Sequence, residues 1–363
     1  MTPSRSFARA GARSACAACA AVAAACLALL LTGRLASDRW AWSQALFWIP
    51  GAIPAGAALL AALGALGAAL AARWPAGRRL ALAVLIAALG AGAWVGIFQW
   101  RLGNLLRRGP PPAQAMTILG WNATDVTPEE FRRAVAARKP DVLIAINPPL
   151  SVNWIGLAGD LWDLPPQQAI GRVRSGGRVV IASRFAPSAS GATDLDLRGM
   201  VAGSPEQRID RGQAVFAALD VDGAPLTIWA IDLPSDPALS RAASARRARA
   251  AIDASRHTRH VLVESGAFYE QRESTGFPAP DVIVGDFNTT RGAASLAPLV
   301  GGLTSAHARA GAGPDGTWPR PWWLLGLDQA FVRRSLRIWR YDVFDAGAGS
   351  HRAQELTISL PAR

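Results

Sequence analysis

The residues best suited to chemistry stand in Gly285-Asp286-Phe287-Asn288, directly after the apolar run Val282-Ile283-Val284. A strand that ends in a tight glycine turn would place Asp286 and Asn288 side by side at the rim of a sheet. There a carboxylate can hold a metal ion or orient a water, and an amide can donate a hydrogen bond to a phosphoryl oxygen. Asp and Asn at strand ends also form ordinary turns, so this motif predicts a site only together with others.

Four further motifs follow one another in a fixed order along the same part of the chain. They are Trp121-Asn122, Pro140-Asp141-Val142, Gly316-Thr317-Trp318-Pro319 with Leu327-Asp328-Gln329, and Ser350-His351-Arg352. Together with the GDFN motif this set resembles the endonuclease/exonuclease/phosphatase superfamily over Met116–Arg363. The superfamily includes pancreatic deoxyribonuclease, apurinic endonucleases, neutral sphingomyelinases and inositol-polyphosphate 5-phosphatases. The chain is most similar to bacterial members with several N-terminal membrane spans.

The resemblance implies an α/β (α+β) fold: a four-layered sandwich of two mixed β-sheets flanked by helices. It also implies cleavage of a phosphoester bond with a divalent ion, Mg²⁺ or Mn²⁺, at the rim of both sheets. By matching position, Asn122 would support the metal or the phosphate, Asp286 would position the attacking water, and Asn288 would bind a non-bridging oxygen. Asp328 would orient His351, which would contact the phosphate, since a carboxylate fixes the imidazole tautomer and supports the imidazolium.

Three departures from the family pattern bear on the metal. Asn147 stands where relatives have the principal metal-binding Glu, Ser350 replaces an Asp, and Asp232 replaces a His. Because Mg²⁺ is held by carboxylates and waters, an amide at Asn147 predicts an ion that binds weakly if at all. Asp232 is the first possible substitute for the lost charge, and Asp125 is the second.

Two hypotheses about function follow from these residues. The first is a divalent-metal-dependent phosphoester hydrolase that acts on an envelope or lipid-type phosphoester. The second is a catalytically inactive relative that binds a phosphate ligand or a protein partner. A nucleic-acid partner is disfavoured, because residues 1–113 hold eleven Arg against one acid while residues 114–363 carry a net charge of only +2.

The basic residues of the N-terminal part flank three uncharged apolar runs. A run of about 20 apolar residues can cross a bilayer as a helix, and we predict spans at 14–33, 48–72 and 80–100. Buried helices of a soluble protein, or a secretory signal in the first run, are the alternatives; a signal alone leaves the next two runs unexplained. The predicted organisation is a membrane region at 1–106, a Pro-rich linker at 107–115 and a catalytic-type domain at 116–363.

The distribution of arginine predicts the orientation in the membrane. Six Arg fall on the side of the N-terminus and five on the other side, which favours an N-terminus inside the cell. Three crossings would then place the C-terminal domain outside the cytoplasm, on a protein of the bacterial inner (cytoplasmic) membrane with the lipid bilayer as its partner. The three cysteines all lie in the first run, so a Cys-based zinc site in the C-terminal domain is excluded.

Hydrophobic patterning predicts the elements that must position the motifs. Short apolar runs predict strands at 116–122, 141–146, 178–183, 214–221, 225–233, 281–288, 327–333 and 355–360. Helices are predicted at 128–139 and 240–255. Strands and helices alternate at first and strands dominate later, which is typical of a sandwich with mixed sheets. The histidines outside the motifs, His257, His260 and His307, are predicted to lie on the surface.

Overall fold

The computed structural model describes residues 3–197, 211–262 and 269–361, with the backbone alone at 3–6, 257–262 and 269–272. The chain divides into two compact units, Met1–Leu102 and Gly103–Arg363.

The N-terminal unit is helical. Its helices are α1 (Pro3–Ala36), α2 (Ala41–Trp48), α3 (Ala52–Ala71) and α4 (Pro75–Trp94), and α4 continues as a π-helical turn over Val95–Gln99. Three segments are long and apolar enough to cross a membrane: Phe7–Ala36, Ala52–Ala71 and Pro75–Gln99. Alanines spaced three and four residues apart on α3 pack against α1, since small side chains let two helices approach closely.

The helices of this unit differ in extent from the predicted spans. The second helix begins at Ala52 instead of residue 48, because Ala41–Trp48 forms the separate helix α2. That helix ends at Trp48, because the next residue, Ile49, has an extended backbone (ψ 118°) before Pro50, and a residue before proline avoids the helical region. The third begins at Pro75 instead of residue 80, since proline is favoured in the first turn of a helix.

The C-terminal unit contains two six-stranded mixed sheets. Sheet A has the order β13-β14-β1-β2-β4-β3 and sheet B the order β11-β12-β10-β7-β6-β5; β8 and β9 form a separate hairpin. Strands β1 and β2 are parallel in sheet A, as are β7 and β10 in sheet B. The strands are β1 (Met116–Asn122), β2 (Val142–Ile146), β3 (Val173–Ser175), β4 (Val179–Ser183), β5 (Pro187–Asp194), β6 (Gln213–Val221), β7 (Ala224–Asp232), β8 (Arg256–Leu262), β9 (Tyr269–Thr275), β10 (Val282–Asp286), β11 (Thr304–Ser305), β12 (Asp328–Val332), β13 (Arg337–Phe344) and β14 (Ala353–Ser359).

Helices flank the two sheets, so the predicted four-layered sandwich is confirmed. They are α5 (Pro128–Arg138), α6 (Trp154–Trp162), α7 (Pro166–Ala169), α8 (Arg241–Ala254), α9 (Ala297–Val300) and α10 (Ala306–Ala310). The short α10 packs against β12 and β13 with the core between the sheets. Helix α5 begins with a capping box, in which the Thr127 hydroxyl accepts from the Glu130 N–H and the Glu130 carboxylate accepts from the Thr127 N–H. Helix α8 is capped by Ser240.

Side chains of the central strands point alternately to the two faces of each sheet and so contribute to different layers of the sandwich. On β1, Ile118 enters the core between the sheets, while Leu119 and Trp121 pack on the outer side with Phe131 of α5. The two sides of β10 divide in the same way. Because successive side chains of a strand point to opposite faces, a strand buried on both faces is continuously apolar, which is the pattern that predicted these strands.

The sequence prediction missed strands mainly at the margins of the sheets. Strands β5 and β13 are edge strands, and β13 carries Arg337, Arg340 and Asp342 among its apolar residues. Charges are common on edge strands because they discourage pairing with other chains, and they also weaken the hydrophobic signal.

The prediction of a surface position was wrong for His307. This residue is buried on α10, with Nε2 3.3 Å from the Gly313 carbonyl oxygen and its ring edge-on to Tyr341. His257 and His260 lie on β8, where side chains fall outside the described residues.

Candidate active site

The strand ends of both sheets converge at one rim of the sandwich. Asn122 ends β1, Asp232 ends β7 and Asp286 ends β10. The antiparallel strand β12 begins at Asp328, opposite Asp286 in register, and His351 comes two residues before β14. Carboxyl ends of parallel strands meet at one edge, so a short set of motifs far apart in sequence is collected in one place.

A hydrogen bond joins the two sheets at this rim. Asn122 Nδ2 donates to Asp286 Oδ2 over 2.8 Å, although the two residues are 164 positions apart. His351 Nδ1 lies 4.0 Å from the same carboxylate oxygen. Asp286, Asp328 and His351 form a buried cluster whose ligand atoms lie within 4.8 Å of one another.

Asp328 and His351 form the hydrogen-bonded pair that the sequence predicts. His351 Nδ1 lies 2.8 Å from Asp328 Oδ2, and both side chains are buried. Burial acts to lower the pKa of His351, but the Asp328 carboxylate outweighs it, with help from Asp286, and raises the pKa to about 9. The ring is therefore an imidazolium at neutral pH, with Nδ1–H donating to Asp328 and Nε2–H left to face a ligand.

A buried threonine holds the start of β12. Thr317 Oγ1 accepts from the backbone N–H groups of Leu327 and Asp328, at 3.0 and 3.1 Å. Within the described part of the chain, the second oxygen of Asp328, Oδ1, is buried and has no hydrogen-bond partner.

Asp286 accepts two hydrogen bonds, from Asn122 Nδ2 and from the backbone N–H of Asn288, both over 2.8 Å. Burial raises the pKa of Asp286 to about 6, with a contribution from the Asp328 carboxylate. The carboxylate is therefore ionised at neutral pH but more basic than an exposed Asp.

Asn288 turns the chain back toward β7. Its backbone is left-handed (φ 47°), a region that Asn tolerates. Its side-chain Nδ2 donates to the Leu233 carbonyl oxygen over 2.7 Å. One amide hydrogen is therefore committed to the fold, and the other is left for a phosphoryl oxygen.

Asn147 directly follows β2, and its side chain lies beside Asn122. Its backbone is left-handed (φ 48°) directly after β2. Its Nδ2 donates to Asn122 Oδ1 over 3.4 Å, and its Oδ1 accepts from Arg178 Nε over 2.8 Å. The guanidinium also reaches Asp232, whose Oδ2 lies 3.4 Å from Arg178 Nη2.

The two possible substitute carboxylates differ in position. Asp232 is buried and lies opposite Asp286 in the parallel register of β7 and β10. Asp125 is exposed in the turn after β1 and makes no hydrogen bond or ion pair to the described residues. Asp232 is therefore the carboxylate that the fold brings to the rim.

Sequence reasoning missed two residues of this site. Arg178 precedes β4 outside any motif, and its role depends on contacts 31 and 54 positions away. Thr317 stands in a motif that was recognised, but only the structure shows its hydroxyl supporting Asp328.

An apolar loop leaves the rim beside His351. Residues 316–326, here called the tryptophan loop, are anchored by the Arg320 N–H to the Ser350 carbonyl oxygen and by the Arg352 N–H to the Thr317 carbonyl oxygen. Trp322 is 74% exposed, and Trp318 and Leu324 are also exposed. Large apolar side chains in a contiguous exposed group indicate an interaction surface.

The family assignment follows from a match of the sequence to a family model. Residues 100–359 match the family model described as the endonuclease/exonuclease/phosphatase family, and the chain belongs to that family. No curated protein sequence matches the chain significantly.

Three solved structures are similar to this chain at low sequence identity. One is an endonuclease/exonuclease/phosphatase from Beutenbergia cavernae, at 14% identity and TM-score 0.45, covering 68% of this chain and 72% of that one. Another is a mannosyl-6-phosphatase from Bacteroides thetaiotaomicron, at 12% identity and TM-score 0.43, covering 68% and 100%. The third is the catalytic domain of human Nocturnin, at 13% identity and TM-score 0.42, covering 70% and 98%.

Enzymes of this family generally use divalent metal ions, but the residues at this rim do not fit a tightly held ion. Both oxygens of Asp286 accept hydrogen bonds, and the Asn147 amide oxygen accepts from a guanidinium. His351 Nδ1 is hydrogen-bonded to Asp328 over 2.8 Å and therefore does not face a cation. Within the described residues Asp328 Oδ1 is buried without a hydrogen-bond partner, while the neighbouring carboxylate of Asp232 lies 3.4 Å from a guanidinium whose positive charge repels a cation.

Proposed function

We propose that this protein is a membrane-anchored phosphoester hydrolase. The observation that carries the proposal is the meeting of Asp286 with the Asp328–His351 pair at one rim, bordered by Asn122 and Asn288. These groups supply a base, a charged hydrogen-bond donor and neutral donors. That combination can activate water and stabilise the charge that develops on a phosphoryl group.

Each residue has a role that its contacts support. Asp286, ionised above a pKa of about 6, accepts a proton from the attacking water or orients it. His351 donates from Nε2 to a phosphoryl oxygen, while Asp328 holds Nδ1–H and the ring orientation. Asn122 positions Asp286, and Asn288 offers its remaining amide hydrogen to a non-bridging oxygen. Mg²⁺ or Mn²⁺ would be bound weakly, so none of these roles depends on it.

The proposed substrate is a lipid-type or other envelope phosphoester. Three candidate spans keep the protein at a bilayer, and the tryptophan loop presents apolar side chains beside His351. Tryptophan favours the interface between lipid and water. The net charge of +2 on residues 114–363 lacks the cationic excess that binding of a nucleic-acid backbone requires.

We also propose that the site lies outside the cytoplasm on the bacterial inner membrane. The support is the arginine distribution, which favours an N-terminus inside the cell. Three membrane crossings would then place the linker at 107–115 and the domain at 116–363 on the outer side of the membrane. Alkaline phosphatase fused after Arg363 should then be active in cells, while a reporter that works only in the cytoplasm should be silent. The reverse result would invert the topology.

A second candidate function is a phosphate-binding module without hydrolysis. The observation that favours it is Asn147, an amide bonded to Arg178 where the family resemblance leads one to expect a metal-binding carboxylate. Such a site would keep its anion-binding groups and lose turnover.

The deciding experiment is hydrolysis of bis-p-nitrophenyl phosphate by the full chain in nanodiscs, with Mg²⁺, with Mn²⁺ and with EDTA. We expect turnover that His351→Ala and Asp286→Asn each lower by about 100-fold or more, the scale of acid–base groups. Asp281→Asn is the matched control, because Asp281 is also buried but lies before the opposite end of β10 and pairs with Arg333. Equal activity of His351→Ala and the parent would refute the hydrolase proposal, and lack of turnover in all conditions would favour the binding module.

A further inference from the structure

Arg178 is held at the rim by its backbone as well as by its side chain. Its backbone N–H donates to Gln213 Oε1 over 2.9 Å, and its carbonyl oxygen accepts from the Asn147 N–H over 2.7 Å. The residue therefore stands at a fixed point just before β4, beside the end of β2.

The Arg178 guanidinium lies between the two sheets. Nε donates to Asn147 Oδ1 on the side of sheet A, and Nη2 lies 3.4 Å from Asp232 Oδ2 at the end of β7 in sheet B. Asn147 contacts Asn122, which in turn donates to Asp286. The guanidinium is thus two hydrogen-bonded residues away from the proposed base.

The position of this charge matters for both metal and ligand. A divalent ion that used the Asn147 amide oxygen would have to displace a guanidinium and would meet its positive charge. The Arg178 side chain is 48% exposed, so a ligand in the cleft can reach it. A guanidinium is always charged, so it attracts an anionic phosphoryl oxygen.

We propose that Arg178 is the resident cation of this site and binds an anionic phosphoryl oxygen, so that ligand binding does not require a divalent metal. Asn147 and Asp232 orient the guanidinium from the two sheets. His351, 4.0 Å from Asp286, and Arg178, linked to Asn122 through Asn147, each contribute positive charge at the rim. The inference rests on the proposed function only in taking a phosphoester as the ligand.

The first test is binding of inorganic phosphate to the full chain in zwitterionic nanodiscs with EDTA, measured by isothermal titration calorimetry. We expect Arg178→Gln, which removes the charge but keeps an amide donor, to weaken binding about tenfold or more. The matched control is Arg184→Gln, because Arg184 is 49% exposed and ion-paired to Asp141 over 3.0 Å. Phosphate binding that needs added metal, or equal affinities of the two Gln variants, would overturn the proposal.

The charge-conserving variant separates a charge effect from a packing effect. Arg178→Lys should keep phosphate affinity within about threefold, since lysine also binds phosphate as a point charge. If Arg178→Gln does not fold, loss of binding in a folded Arg178→Lys variant would still count against the proposal. Equal losses in Gln and Lys variants would mean that the side chain acts through its shape, which also contradicts it.

The second test measures Mn²⁺ binding by electron paramagnetic resonance. Asn147→Glu alone places a carboxylate beside the Arg178 guanidinium, so we expect less than about threefold gain in affinity. Combining it with Arg178→Gln removes the competing cation and should raise Mn²⁺ affinity about tenfold or more above the single variant. Tight Mn²⁺ binding by Asn147→Glu alone would show that Arg178 does not occupy this position.

The two proposals fail in different ways. If phosphate binds in EDTA with an affinity that depends on Arg178, but bis-p-nitrophenyl phosphate is not cleaved, the proposed hydrolase function is wrong and the inference about Arg178 is supported. If cleavage requires Mg²⁺ and the phosphate affinity is unchanged in Arg178→Gln, the inference about Arg178 is wrong and the hydrolase function is supported.

Discussion

Replacing Asp328 by Asn should change the protonation of His351 and the pH dependence of folding together. Asp328 Oδ2 lies 2.8 Å from His351 Nδ1 and is the main cause of the pKa of about 9. In Asp328→Asn the opposing effect of burial remains, so the pKa of His351 should fall toward its ordinary value of 6.5 or below it. The amide keeps the shape of the side chain, which makes loss of charge the principal change.

The expected stability effect follows from the difference between the folded and unfolded pKa of His351. A rise from 6.5 to about 9 corresponds to about 3 kcal/mol. Because the folded pKa is raised, this stability is fully present below pH 6.5 and is lost as the pH rises through 9. The raised pKa of Asp286, about 6, acts in the range between roughly pH 4 and 6, so the window from 6.5 to 9 reports on His351.

Two measurements on the full chain in nanodiscs check this prediction. Titration of ¹³C-labelled histidines by NMR gives the pKa, with His351→Gln identifying its signal among the four histidines. Urea unfolding followed by tryptophan fluorescence gives the free energy of unfolding of the C-terminal unit. In the parent this free energy should fall as the pH rises from 6.5 to 9, and in Asp328→Asn it should no longer do so. Asp281→Asn is the control and should keep the parental slope. A His351 pKa that stays near 9 in Asp328→Asn would refute the argument and assign the effect to the other carboxylates.

Three further variants test the support of the site and its proposed substrate. Thr317→Val leaves two buried backbone N–H groups without their acceptor, and should cost about 2–4 kcal/mol in urea unfolding; an unchanged midpoint would contradict the role of the hydroxyl. Gly285→Ala places a Cβ 2.0 Å from the Ile231 carbonyl oxygen and should prevent β7 and β10 from pairing, seen as loss of cooperative unfolding. Trp322→Ser with Leu324→Ser should lower hydrolysis of a phospholipid in the same nanodisc about 100-fold or more, since each loses apolar burial of about 1.5–3 kcal/mol. Cleavage of bis-p-nitrophenyl phosphate should not change, and a parallel loss of both activities would contradict a lipid-specific role.

Much of the fold is encoded locally and could be predicted. Strands β1, β2 and β10 are buried on both faces, so their apolar runs stand out against the polar turns that follow. Their carboxyl ends carry Asn122, Asn147 and Asp286. The edge strands β5 and β13 escaped prediction because they pair on one side only and carry polar side chains.

The sequence by itself determined the family, the order of the motifs and the residue types available at the rim. It also showed that Asn147 lacks the charge of a carboxylate. These properties depend on identity and spacing along the chain, and folding does not alter them.

Only the tertiary structure decided how those residues are used. The hydrogen bond from Asn122 to Asp286 and the contacts of Arg178 with Asn147 and Asp232 join residues 164, 31 and 54 positions apart. Burial, which raises the pKa of Asp286, likewise exists only once both sheets have packed. Electrostatic interactions fall with distance and strengthen away from water, so the chemistry of this rim depends on a geometry that no local segment contains.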